Sequence, residues 1–227
     1  EELDAIFDLN EADNNNSYVL PPMVLQKGNA QNKLDQADRK LEGRFKVGGQ
    51  EHFYLEGQVA YAVPKEDGCL HLWCSTQHPT EMQHLVAKSC LLDANQIVVE
   101  MRRMGGGFGG KESQSALFCC IASLAAKKLN RPVKCRLDRD DDMLITGKRH
   151  HFNYDYHVGF DKTGKIKSLQ LKMLLGAGYS ADLSGPVATR ALCHADNAYL
   201  LDDVDLGAYC CKTNTQSNTA FRGFGGP

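Results

Sequence analysis

No run in this 227-residue sequence is apolar for long enough to cross a bilayer: the longest apolar helical pattern, residues 116–126, falls well short of the roughly 20 residues that a span needs. No charged-then-apolar segment of the secretory kind opens the chain, and internal repeats and low-complexity tracts are missing. The expectation is a soluble, cytoplasmic protein with no membrane partner. An excess of charge of one sign is lacking as well. Lys and Arg number 26 against 28 Asp and Glu, a formal net charge of -2, which argues against a nucleic-acid partner. Metal-site cysteine spacing is also absent. There are nine cysteines, an odd number, and the pairs Cys119-Cys120 and Cys210-Cys211 do not match zinc or iron–sulfur frameworks, so the thiols are read as reduced and mostly as small buried hydrophobes. Glu1 stands where an initiator methionine would, which reads as a chain cut from something longer.

What is present divides at about residue 46. Residues 1–46 are polar, with Asn14-Asn15-Asn16 as a loop, Pro21-Pro22 as an extended path and a charged, glutamine-rich stretch from 31 to 44, and read as an N-terminal arm wrapping the surface. Residues 59–63 and 70–74 predict a hairpin, and residues 80–92 an amphipathic helix entered through Ser75-Thr76-Gln77-His78-Pro79. Residues 96–101 predict a buried strand, 113–130 a helix, 132–137 a strand and 138–144 a short helix. The four aspartates among residues 138–142 fit a helix start, where the dipole favours acids, better than a metal site. Residues 152–160 and 166–175 predict a second hairpin, followed by a helical stretch over 187–195 and a strand over 206–212. His52 and His71 have no partner at ligand spacing and read as structural. The fold class is α+β, antiparallel hairpins with packed helices.

The most informative stretch is Gly105-Gly106-Gly107-Phe108-Gly109-Gly110-Lys111-Glu112, between the predicted strand and the long helix. Strand, glycine turn and helix start together can present backbone N–H groups to an anion. Gly105, Gly107 and Gly110 satisfy the dinucleotide fingerprint, but Asp138 lies farther beyond them than the roughly 20 residues its ribose contact needs, and hairpins follow rather than further βα units. A purely structural turn, with Glu112 as a dipole partner, is the plainer reading. The chain closes on a second glycine-rich turn over residues 219–227.

Four segments carry a resemblance: 48–56, 103–112, 138–139 with 143–147, and 218–227 are similar, in order, to the molybdenum-cofactor-binding part of the xanthine dehydrogenase family, most closely to the separate large subunit of its bacterial members. The resemblance covers the chain from about residue 45, so residues 47–227 are expected to form a partial molybdopterin-binding domain, its first portion, truncated at the C-terminal end. It implies that Gln77 approaches an oxygen ligand of molybdenum. Phe108, flanked by Gly107 and Gly109, and Arg222 would approach the metal and pterin through their backbones, near molybdenum but not ligating it. Glu112 and Arg190 would hold a purine, and Phe224 would pack against its ring.

The implied reaction is hydroxylation of hypoxanthine or xanthine at a molybdenum–molybdopterin centre, with electrons leaving through Fe–S clusters and FAD, on other domains or subunits, to NAD. The parent enzyme is expected to be oligomeric. The family's general-base glutamate is expected downstream of Pro227, so no catalytic residue is assigned in residues 1–227, and the isolated chain is expected to bind no cofactor tightly and to be inactive. An aldehyde oxidase or other heterocycle hydroxylase, and a non-catalytic scaffold or assembly module of the same fold, are the alternatives; the polar pair Glu112 and Arg190 favours the purine.

Overall fold

The computed structural model describes residues 4–226. The chain divides into two compact units, residues 1–50 with 148–227, and residues 51–147. The second unit is therefore inserted into the first.

The first unit is built on a five-stranded sheet of β1 (Met23–Lys27), β2 (Arg39–Val47), β7 (Phe152–Phe160), β8 (Ile166–Gly178) and β9 (Val204–Lys212), in the order β1-β9-β8-β7-β2. The segment expected to be a surface arm supplies both edge strands and two short helices, α1 (Leu9–Asn14) and α2 (Ala30–Asp35). Their sequence hides this. The burial of β2 is almost uniformly low, so the hydrophobic alternation that marks a half-buried strand is weak, and pairing with β7 supplies the order instead. The β7–β8 hairpin is antiparallel as expected, whereas β8 and β9 are parallel, joined through helix α6 (Ser184–His194). Val187, Ala188, Ala191 and Leu192 of α6 pack on Met173, Leu175, Leu206 and Ala208, which leaves Thr189 and Arg190 on the exposed side.

The second unit carries a four-stranded sheet of β3 (Val59–Pro64), β4 (Leu70–Cys74), β5 (Ile97–Glu100) and β6 (Val133–Arg136), in the order β5-β4-β3-β6. Helices α3 (Pro79–Cys90) and α4 (Ser115–Leu129) cover one face. Ala60, Ala62, Leu70, Leu72 and Ile97 of the sheet meet Met82, Val86, Phe118, Cys119 and Ala122 of the helices in a closed core. The β4 and β5 pair is parallel. In a dinucleotide fold the strands on either side of the glycine turn belong to one parallel βαβ unit; here β5 and β6 are the two opposite edges of the sheet. That excludes the fingerprint reading on topology. Helix α5 (Arg139–Ile145) follows β6, capped by Asp138, whose carboxylate accepts the N–H of Asp141 at 2.9 Å.

All nine cysteines are free thiols; Cys74, Cys90, Cys119, Cys210 and Cys211 are buried and Cys193 is exposed. Among the described residues no helix is long and apolar enough to cross a membrane, and no group of three or more His, Cys, Asp or Glu side chains is placed to hold a metal ion.

Candidate functional site

The first glycine turn leaves β5 and reaches α4 through a second, shorter bend, so that α4 starts at Ser115, two residues later than expected, and Glu112 sits in the loop before it. Phe108 and Gly109 both have positive φ, 54° and 101°. The non-glycine in that conformation is the exposed one. Phe108 is 44% exposed while Gly107, Gly109 and Gly110 are buried, so the turn displays Phe108 and tucks its glycines inward.

Gln77, at the end of β4, is what the glycines tuck against. Its Oε1 accepts the N–H of Gly109 at 2.8 Å and of Lys111 at 3.3 Å, and its own N–H donates to the Lys111 carbonyl at 2.8 Å. A Cβ at Gly107 would lie 2.6 Å from that Oε1, so only glycine permits this approach. With the oxygen committed to the turn, the amide NH2 of an exposed Gln77 is left to donate outward. The arrangement holds one amide donor beside the exposed Phe108, and the residues present fit a cofactor with oxygen acceptors at that position.

Beneath the turn lies a buried cation that sequence reasoning left unassigned. The Lys111 side chain is 0% exposed; its Nζ donates to the Glu56 carbonyl at 2.6 Å and to Ser75 Oγ at 2.7 Å, and lies 3.6 Å from Glu56 Oε2 and 4.4 Å from the centre of the Tyr54 ring. Burial lowers its pKa, with Glu56 opposing. Glu56 in turn accepts from Ser75 Oγ at 2.6 Å and from the Gly105 N–H at 3.0 Å. Burial pushes the Glu56 pKa up, but these hydrogen bonds and Lys111 outweigh it and the net direction is down. His52, 5% exposed, fills the space against Gly110, where a Cβ would lie 2.7 Å from its ring. The readable signal was the Lys-Glu pair at the mouth of the helix. Which member turned inward was not.

Glu112 is half-buried, and its carboxylate has no hydrogen bond or ion pair among the described residues. Arg190, Arg222 and Phe224 belong to the other unit. There the second glycine turn packs on α6: a Cβ at Gly225 would lie 2.7 Å from both the Val187 carbonyl oxygen and the Ala191 nitrogen. That contact brings Phe224 to Arg190, whose guanidinium carbon is 5.1 Å from the ring centre. Arg190 is exposed and no carboxylate among the described residues pairs with it. Arg222 is exposed too, and its carbonyl accepts from Arg149 Nη2 at 3.1 Å. Each unit thus assembles its own subset: Gln77, Gly107, Phe108, Gly109 and Glu112 in one, Arg190, Arg222 and Phe224 in the other.

Against known proteins, the chain is 48% identical to the xanthine dehydrogenase/oxidase of Gallus gallus over 228 residues, all of this chain and 17% of that protein. It is 50% identical to the xanthine dehydrogenase of Drosophila subobscura over 206 residues, 91% of this chain and 15% of the relative. The chain therefore spans about one-sixth of the length of these relatives. Among solved structures it is similar to the aldehyde oxidoreductase from Desulfovibrio gigas, at 25% identity and a TM-score of 0.84, covering 92% of this chain and 23% of that one. The quinoline 2-oxidoreductase of Pseudomonas putida 86, 22% identical with a TM-score of 0.87 over 99% of this chain and 30% of its own, shares the fold. The model of the molybdopterin cofactor-binding domain matches residues 9–227, and an amide donor beside the exposed Phe108 suits that group: the chain belongs to the molybdopterin cofactor-binding domain family.

Proposed function

We propose that this chain supplies part of the cofactor and substrate site of a molybdenum hydroxylase that oxidises hypoxanthine or xanthine, its electrons leaving through Fe–S clusters and FAD elsewhere in the enzyme to NAD. The observation that carries the purine reading is Arg190 held over Phe224 with no carboxylate among the described residues to neutralise it; in the other unit, the Glu112 carboxylate likewise has no partner among the described residues. A cation and an aromatic ring presented together suit a flat heterocycle that gains negative charge as it reacts.

When bound, the molybdenum centre supplies the two-electron oxidation and the transferred oxygen. The protein's own groups bind and orient. Gln77 would donate its amide N–H to an oxygen of the cofactor, its amide oxygen being held by the Gly109 and Lys111 N–H groups. Phe108 in one unit and Arg222 in the other would each hold the metal and pterin through their backbones. The Glu112 carboxylate accepts a hydrogen bond from the ring edge, Phe224 packs on the ring face, and Arg190 offsets the developing charge. This reading includes no turnover by the isolated 227-residue chain and no tight cofactor retention by it.

The test is made in the full enzyme. Glu112→Ala and Arg190→Met should each lower kcat for xanthine by about 10²-fold, the usual cost of removing one aimed charge-stabilising group. Unchanged kinetics in both variants would sink the role assignments. An aldehyde or a non-purine heterocycle as the better substrate of the unmodified enzyme would instead move the reading to the activities named for the structurally similar proteins.

A further inference from the structure

Arg149 has no place in the roles given above, yet it holds the start of the second glycine turn. Its backbone N–H donates to the Gln50 carbonyl at 2.9 Å, its Nε donates to Gln50 Oε1 at 3.1 Å, and its Nη2 donates to the carbonyl of Arg222 at 3.1 Å. The same guanidinium lies over Phe221, its carbon 4.1 Å from the ring centre. One planar group therefore clamps the backbone of Arg222 and the ring beside it to a fixed support at Gln50. The two side-chain hydrogen bonds leave from different nitrogens, Nε and Nη2, of one rigid fork, a spacing that the single nitrogen of a lysine does not reproduce.

The clamp is made at a cost. Arg149 Nη1 is buried and no hydrogen-bond acceptor among the described residues reaches it. Phe224 and Gly225, at the far end of the turn, are held separately by α6. Arg149 thus governs the cofactor end of the turn and leaves the substrate end alone.

We propose that Arg149 is a positioning residue for the molybdenum cofactor, acting through the Phe221-Arg222 backbone. The inference rests on the reading that Arg222 faces the cofactor; it does not depend on the substrate being a purine.

The experiment uses the full-length enzyme with Arg149→Lys, Arg149→Met and, as a route that leaves Arg149 in place, Gln50→Met. Molybdenum content per protein, the Mo(V) paramagnetic signal of the loaded fraction, thermal midpoint, and kcat and KM per bound molybdenum are measured. Both Arg149 variants should lose about tenfold or more in molybdenum content or in kcat per molybdenum, with an altered Mo(V) signal, KM within about twofold and no rescue by lysine; Gln50→Met should show a smaller loss of the same kind. Full molybdenum content, an unaltered signal and unchanged kcat in both Arg149 variants overturn the proposal, as does rescue by lysine. A fall in thermal midpoint with normal metal content and normal signal also overturns it, since the role is then only structural. If the unmodified enzyme proves inactive on purines, metal content and the Mo(V) signal still test Arg149, so the two readings fail separately.

Discussion

Lys111 converts a flexible glycine sequence into a turn with one shape. Its ammonium satisfies the Glu56 carbonyl and Ser75 Oγ, while its backbone atoms are tied to Gln77. Lys111→Met keeps the volume and strands those buried acceptors, so the unit should lose about 2–4 kcal/mol, read as a drop in denaturant midpoint. Gly107→Ala tests the opposite kind of constraint. The added methyl has no space against Gln77 Oε1, and the expected result is a displaced amide and about tenfold lower cofactor retention in the full enzyme, with thermal stability moved far less than by Lys111→Met. At this scale the glycines and the neighbouring Lys-Glu pair were legible because they break ordinary patterning. That Lys111 turns inward and Glu112 stays without a partner among the described residues was not, because adjacent residues of similar polarity differ only in the space that Tyr54, Glu56 and Ser75 leave for them.

Helix α5 shows how an element can look like one thing and do two. Its acid run suits a helix start, and Asp138 caps it, yet Asp142 is 1% exposed and accepts from the Tyr54 hydroxyl at 2.7 Å, the Gln58 N–H at 2.6 Å and Thr146 Oγ1 at 3.1 Å. The carboxylate thereby ties the helix to the start of β3 and to the tyrosine lying under Lys111. Burial and Asp142 together raise the pKa of Tyr54. Asp142→Ala should cost about 3 kcal/mol, whereas Asp140→Ala, on an exposed half of the same turn, should cost well under 1 kcal/mol; equal effects in chemical denaturation would contradict the assignment. Strands β3, β4, β7 and helices α3 and α4 were readable from periodicity and β-branched content. The edge strands β1 and β2 were not, since an edge strand exposed on both faces carries no alternation and is ordered by its neighbour.

For the molecule as a whole, acid sensitivity follows from a buried histidine in the first unit. His150 is 2% exposed, with Nε2 2.8 Å from Ser184 Oγ at the start of α6, and burial, with neighbouring His151 adding to it, lowers its pKa from 6.5 to about 4. A folded-state pKa below the unfolded value means that the unfolded chain takes up the proton first, so stability present above about pH 6.5 is lost as pH falls toward 4. The loss amounts to about 3 kcal/mol for this group. His151 is lowered in the same direction by burial, with Asp8 opposing. Thermal melts from pH 7 to pH 4.5 should show the midpoint falling steeply in the unmodified protein and less so in His150→Gln; parallel curves would exclude His150 as the source. The sequence by itself determined the secondary elements that bury apolar faces, the two glycine turns and the family they belong to, because local periodicity and steric exceptions are written residue by residue. Only the tertiary structure decided that β5 and β6 lie at opposite edges, that the N-terminal segment completes a sheet, and that Arg149 and Lys111 each hold a glycine turn in place, because these depend on contacts between residues far apart in the chain.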